Sequence, residues 1–429
     1  MEKLLKLAKQ AVDQAEVFYF DDTSDSVSFN DAKLDKADTS MSAGIALRVI
    51  KDGKMGLAHT RNLLDPQALL NQAIQSAANG TEVNFRFPCT KEVKNVPSYD
   101  AEIEKINKQD LIAEGNRIIN YIKQRTDGQI NLGFEYSTSQ SGIMNTAGTS
   151  LSTKSSEFVI FAMMIFPGTG SGLYKFDLGR KFSAISQADL DELIELFILS
   201  KQQIVPDTER MPVIFAPTAL SALLSRFFTA VSPVNIYNKV SPLCGRIGEQ
   251  IVSQKLSLWQ DPFDAELISA TSFDSEGTPT QKYAYIDGGV FKAFPTDLNY
   301  AEKLGIAPTG NGFRGSMEVL PAAQAFCYSI SPGKKSLAEM IAGIDKGIIA
   351  HSLMGAHSGN ILNGDYSVGV ATGFYIENGV IKGRVKDCML SGNAYDTLGK
   401  IGEIENKLQN MGSSKLPAIL FEDLSVAGK

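Results

Sequence analysis

Residues 367–385 read SVGVATGFYIENGVIKGRV, two runs rich in β-branched and aromatic residues on either side of Asn378-Gly379. An Asn-Gly pair tolerates positive φ at both central positions of a tight type I′ turn. The segment therefore predicts an antiparallel hairpin of Ser367–Ile376 and Val380–Val385. The same grammar recurs at KYAYIDGGVFKAF, residues 282–294, where Gly288-Gly289 separates Lys282–Asp287 from Val290–Phe294. Further strands are expected at Met211–Phe215 and Gln324–Ile330. Strands joined by two-residue turns, without regularly spaced crossover helices, predict an α+β fold with a strand-rich, largely antiparallel C-terminal domain rather than a doubly wound parallel sheet.

Upstream, helices and strands alternate. Leu4, Ala8, Ala11 and Ala15 recur at helical spacing ahead of a strand at Glu16–Phe20, and Asp52-Gly53 joins Ala43–Ile50 to Lys54–Thr60 as a hairpin. Asp65-Pro66 opens a helix that Asn79-Gly80 closes, with Asp as N-cap and Pro in the first turn. Gln109–Arg125 reads as a helix, and strands follow at Gln129–Tyr136, Ser141–Thr146 and Glu157–Phe166. Ser186 and Asp189 form a capping-box pattern for a helix running to about Gln203. The aperiodic stretch 81–101, with Pro88 and Pro97, reads as a linker, and Pro206 marks a second boundary. The expected division is 1–100, an N-terminal α/β subdomain with a mixed sheet; 101–206, a middle domain; and 207–429, the C-terminal strand-rich domain.

A chain of 429 residues exceeds the roughly 250–300 that one hydrophobic core serves, which agrees with several subdomains. The 41 Lys and Arg against 48 Asp and Glu leave a net charge of −7, which argues against a broad basic surface and direct nucleic-acid contact. Charges interrupt Met1–Lys9, so it does not read as a signal peptide, and the longest apolar run, Phe158–Phe166, is far shorter than the ~20 residues of a membrane helix. Cys89, Cys244, Cys327 and Cys388 lie far apart without a C-x-x-C pair and read as four buried, reduced thiols. A cytoplasmic location is the expectation.

Chemistry is sparse at the level of motifs. Of the three histidines, His59 ends a hairpin strand, while His351 and His357 flank a Gly-rich loop that also carries Asp365. A His351/His357/Asp365 metal site is sterically conceivable, but the spacing matches neither H-E-x-x-H nor a zinc-finger pair. Gly168-Thr169-Gly170-Ser171-Gly172 follows an apolar strand but is neither a P-loop nor a dinucleotide fingerprint, and it reads as a turn. No G-x-S-x-G elbow occurs.

Several short motifs then occur in order. Asp274-Ser275-Glu276-Gly277-Thr278-Pro279 precedes Tyr285–Val290, then Asn299-Tyr300-Ala301, then Thr309-Gly310-Asn311-Gly312-Phe313-Arg314. Asn363-Gly364-Asp365-Tyr366-Ser367, Ile376-Glu377-Asn378-Gly379 and Ser391-Gly392-Asn393 follow, and Pro417–Phe421 with Leu424–Gly428 close the chain. Gly44-Ile45-Ala46-Leu47-Arg48 and its hairpin supply an N-terminal counterpart. This pattern resembles the PmbA branch of the PmbA/TldD ("modulator of DNA gyrase") family over nearly the whole chain.

The resemblance implies an α+β fold, a two-subunit particle and a role in intracellular proteolysis. In the TldD branch a Leu-Leu-His-Glu-x-x-x-His helix supplies two metal ligands and a general base, and a C-terminal Cys adds a third ligand. Here Leu223-Leu224-Ser225-Arg226-Phe227-Phe228-Thr229-Ala230 stands in the corresponding place, so Ser225, Arg226 and Ala230 are degenerate metal-motif positions. Gly412-Ser413-Ser414-Lys415 precedes the last strands without a Cys. No catalytic residue, metal or cofactor is expected.

The leading expectation is a non-metal subunit that binds peptide or unfolded polypeptide through Asp274, Glu276, Asn311, Arg314, Asp365, Asn378 and Asn393. It would pair with itself when alone and with a TldD-like metal-bearing homologue when one is present. The alternatives are a stand-alone binding module of the gyrase-modulator type and an autonomous peptidase using His351, His357 or carboxylates.

Overall fold

The computed structural model describes residues 1–429. Its first half is one six-stranded sheet. Strands β1 (Gln14–Asn30), β2 (Lys33–Lys51), β3 (Lys54–Thr60), β4 (Gln129–Asn145), β5 (Ser150–Ile165) and β6 (Gly172–Gly179) lie in the order β3-β2-β1-β4-β5-β6, every pair antiparallel. The expected mixed sheet is absent because every neighbouring pair runs in opposite directions. The expected boundary near residue 100 does not separate two sheets either, since β1 pairs with β4 from Glu16↔Asn145 to Phe29↔Leu132.

Helices α1 (Glu2–Ala8) and α2 (Pro66–Ala78) bury Leu4, Ala8, Leu69, Leu70 and Ala73 with Val17, Leu47 and Val49 of the sheet. Asp65 caps α2 by accepting from the N–H groups of Gln67 and Ala68, as Asp before Pro predicts. Helices α3 (Lys108–Lys123) and α4 (Gln187–Leu199) lay Ile118, Ile122, Leu193 and Phe197 against Phe134, Phe158 and Ile160. That core also takes in Ile214, Ile349, Phe374 and Ile376 of the C-terminal region, so the halves share apolar packing.

In the C-terminal region Lys346–Met354, Glu209–Phe215, Ile419–Ala427, Met389–Asn393 and Asp365–Glu377 pair in that order, and the last also pairs with the first, closing a ring of five strands. A second sheet is built around Leu258–Gln260, Tyr283–Asp287 and Tyr328–Ile330. The turns form as their sequences dictate. Asp52-Gly53, Gly288-Gly289 and Asn378-Gly379 all have positive φ at both positions, and the flanking pairs Lys51↔Lys54, Asp287↔Val290 and Glu377↔Val380 close the hairpins.

Helix α5 (Pro217–Ala230) lies between these two layers. Leu220, Leu223, Leu224 and Phe227 are buried, as the i, i+3, i+4, i+7 spacing predicts. Phe227 meets Tyr285 and Phe291 edge-on, and Phe228 lies 4.7 Å from Tyr328. Cys327 and Cys388 are buried, but Cys89 and Cys244 are exposed, since both lie in irregular surface segments rather than on a core face. No helix is long and apolar enough to cross a membrane.

Truncating a fully enclosed aromatic leaves a cavity that its surroundings fill only in part. Phe227→Ala should lower the unfolding free energy by about 3–5 kcal/mol in a urea titration, and an unchanged midpoint would contradict the burial of this face.

Candidate functional site

Glu16 on β1 and Arg48 on β2 are register partners, and both are fully buried. An arginine in that position must find anions. Arg48 Nη2 donates to Glu16 Oε2 at 2.6 Å and Nη1 to Glu276 Oε1 at 2.8 Å, while Arg314 Nη2 donates to Glu16 Oε1 at 3.0 Å. Phe85 and Phe87 lie with ring centroids 5.6 and 4.8 Å from the Arg48 guanidinium carbon, so the stretch expected as a loose linker helps cover it.

The loops that supply Glu276 and Arg314 are fixed by further carboxylates. Asp274 accepts from the N–H groups of Glu276, Thr278 and Gly312, and Asp297 from those of Tyr300 and Ala323. Glu276 Oε2 accepts from Leu298 N–H. Glycine is needed here for space: a Cβ on Gly312 would stand 2.3 Å from Glu276 Oε2, and Gly277 has φ +76°. Burial raises the pKa of Asp274, Glu276 and Asp297; at Asp274 the Glu276 charge adds to this, and at Glu276 the Arg48 charge opposes it. Burial works against the Arg48 cation, yet Glu16 and Glu276 outweigh it and hold its pKa above the usual arginine value.

The seven residues expected to contact peptide therefore do not share a surface. Asp274, Glu276 and Arg314 belong to this buried network. Asn311 is fully buried in a second one, donating to Gln260 Oε1 and Gln324 O. Their side-chain groups are spent inside the protein, which corrects the expectation that these loops present them to a ligand. Asn378 is exposed at a hairpin tip. Asp365 and Asn393 do meet: Asn393 Nδ2 donates to Asp365 Oδ1 at 2.9 Å.

Beside that pair lies α5. Arg226 donates from Nε to Asp365 O, from Nη1 to Ala222 O and from Nη2 to Ser358 O, each at 3.1 Å. Ser225 is exposed and donates to Ala222 O, and Ala230 is fully buried. These side chains do not fit a zinc ion: one is a hydroxyl, one a bound cation, and one lacks a donor atom. The residues His351, His357 and Asp365 do not assemble into a metal-binding group either.

His351 instead lines a cavity of about 270 Å³ between β6, α4, the start of α5 and the C-terminal strands. Its Nε2 is buried without a hydrogen-bond partner. Burial pushes its pKa down to about 4, with Glu192 pulling it up and Lys175 pushing it down. Sequence reasoning passed over Glu16, Arg48 and Asp297, and over Lys175, Glu192 and Lys407 around this cavity. An arginine inside the apolar run Ile45–Ile50 was the one available signal.

The profile of the PmbA/TldA metallopeptidase C-terminal domain matches residues 208–428, and that of metallopeptidase domain 1 matches residues 15–79. TldE from Thermococcus kodakarensis superposes with a TM-score of 0.92 at 25% identity, covering 100% of both chains. Metalloprotease PmbA of Escherichia coli O157:H7 is 24% identical over 99% of this chain and 94% of its own length. An uncharacterized protein of Methanocaldococcus jannaschii is 25% identical over 98% of both. The fold is that of a metallopeptidase-related α+β protein, and the chain belongs to the PmbA/TldD family.

Two measurements probe this geometry. Arg48→Met leaves Glu16 and Glu276 buried with Arg314 as their remaining cation, and should cost about 3–5 kcal/mol in chemical unfolding; a loss below about 1 kcal/mol would show that the network tolerates the vacancy. For His351 the folded pKa of about 4 lies below its ordinary 6.5, so its contribution to stability is complete above pH 6.5 and lost as pH falls toward 4. The stability difference between the native chain and His351→Leu should slope by up to about 1.4 kcal/mol per pH unit in that window, and parallel profiles would contradict the buried neutral imidazole.

Proposed function

We propose that this chain is the non-metal subunit of a peptide-processing pair, binding peptide or unfolded polypeptide and completing a particle whose metal chemistry resides in a TldD-like homologue. The observation that carries this reading is Arg226. At the helix position where the family resemblance would put a general base, the chain has a permanent cation tied to three backbone carbonyls. A group held in that way organises the loop 358–365 and does not accept a proton.

Asp365 and Asn393, beside this end of α5, are the polar groups best placed to meet a polypeptide there. They offer one further acceptor at the start of the strand Asp365–Glu377. The full-length likeness to proteins called TldE and PmbA supports a partner role.

The test is to purify the chain alone and together with a TldD-type homologue carrying the His-Glu motif. Alone, it should hold no stoichiometric zinc and leave an unfolded casein substrate intact. Together, the two should co-elute, and casein cleavage should exceed that of the homologue by itself. About one zinc per chain, with chelator-sensitive cleavage by the isolated chain, would overturn the reading. Failure to associate with the homologue would favour a stand-alone binding module.

A further inference from the structure

The His351 cavity lies at the opposite end of α5 from Arg226, and nothing in the ionic network or the degenerate motif uses it. Three independent features meet in it. The first is the start of α5, where Ala216 at the N-cap and Pro217 in the first turn leave the opening N–H groups without a side-chain acceptor. Ala216, Pro217 and Thr218 all line the cavity. The second is His351, whose Nε2 is buried and unpartnered in a wall of the same space. A buried polar nitrogen without a protein partner beside a void of this size calls for a partner there, either a ligand or an ordered water.

The third is the arrangement of charge. Lys175 pairs with Glu192 at 2.7 Å and reaches Asp189 at 3.8 Å, so one ammonium is shared between two carboxylates. Lys407 also lines the cavity and forms no ion pair, and Glu405 lines it with its Oε2 accepting from Ala418 N–H. The site thus offers an unshared cation and a helix N-terminus for a negative group, and surplus carboxylate for a positive one. Leu173, Leu193, Leu196 and Leu337 supply apolar wall between them. Tyr174 Oη donates to Thr218 Oγ1 at 2.8 Å and ties β6 to the start of α5 beside the cavity.

From this geometry we infer that the cavity binds a free short peptide of about two residues as its zwitterion. The terminal carboxylate lies toward the start of α5 and Lys407, the terminal ammonium toward Glu192 and Asp189, and the His351 imidazole hydrogen-bonds the peptide between them. A cavity of about 270 Å³ suits a ligand of that size and excludes a folded domain. A simple anion would use one end only, and an apolar molecule would leave His351 and both charged ends unsatisfied. The inference rests on the peptide-handling role and narrows it: besides the polypeptide near Arg226, the subunit would hold a small product or a free chain end in a separate pocket.

Isothermal titration of the intact chain at pH 7.5 tests it, with the dipeptide Ala-Leu, its N-acetyl form, its C-terminal amide and inorganic phosphate as probes. Ala-Leu should saturate at one per chain. Either blocked form should bind at least tenfold more weakly, and phosphate should not compete fully. Glu192→Gln and Lys407→Met are partly exposed changes that keep the core intact. Each should weaken Ala-Leu about tenfold without moving the unfolding midpoint, and His351→Leu should weaken all forms. No saturable Ala-Leu binding, or binding of both blocked forms as tight as that of Ala-Leu, would overturn the inference. Phosphate binding as tightly as Ala-Leu and displacing it, with N-acetylation indifferent, would show a plain anion site and overturn it too. These readouts need no metal-bearing partner, so their failure is distinct from a failure of the paired-subunit reading.

Discussion

Arg48 is an arginine that cannot reach water, and much of the structure follows from satisfying it. Removing a guanidinium and two carboxylates from water costs several kcal/mol per ion, and only close, well-oriented pairing repays it. Glu16 is supplied locally by strand pairing, but Glu276 must be brought from 228 residues away. Its loop has to be held tightly, which Asp274 does through three backbone N–H groups, and it has to pass under a residue with no side chain, which Gly312 provides. Arg314 then balances the second oxygen of Glu16. One buried charge thereby specifies the conformation of two loops and the seat of the N-terminal sheet on the C-terminal region.

The short motifs that single out the family take on a different meaning in that light. The acidic D-S-E-G stretch and the T-G-N-G-F-R loop look like ligand-binding signatures, being polar, glycine-rich and on predicted loops. Their side chains are consumed by internal partners. In this chain they build a joint between the N-terminal sheet and the C-terminal region. The contacts proposed above for a polypeptide and for a small ligand fall elsewhere, around Asp365 and Asn393 and in the cavity beside His351.

How much of this could be read from the sequence follows the range of the interactions. Two-residue turns were legible because Asn378-Gly379 and Gly288-Gly289 act through their own backbone preferences. The apolar stripe of α5 was legible for the same local reason. The distal parts of β1 and β2 were not. Residues 33–41 are all exposed, Met41 at 78%, so no alternation of apolar and polar residues marks them; they are strand because β1 pairs with them. The stretch 81–100 carries only one short alternation, in which Val83, Phe85 and Phe87 are buried against Ile50 and Leu298 while Asn84 and Arg86 stay exposed, and that signal went unread. A boundary placed there on composition could not foresee that β4 returns to pair with β1. At the candidate site, the residues standing in place of the metal motif can be read one by one in the sequence, whereas the cavity, assembled from eight separate stretches of chain, left no trace in any one of them.

The buried ionic network and the shared core make the two halves one cooperative body. Native-state hydrogen exchange under increasing urea measures this directly, by comparing amides of β1 and β4 with those of Met211–Phe215 and Ile419–Phe421. The slowest amides of both sheets should converge on a single opening free energy and a single denaturant slope. Two separate isotherms, with the N-terminal sheet opening at lower free energy while residues 208–428 stay protected, would contradict it.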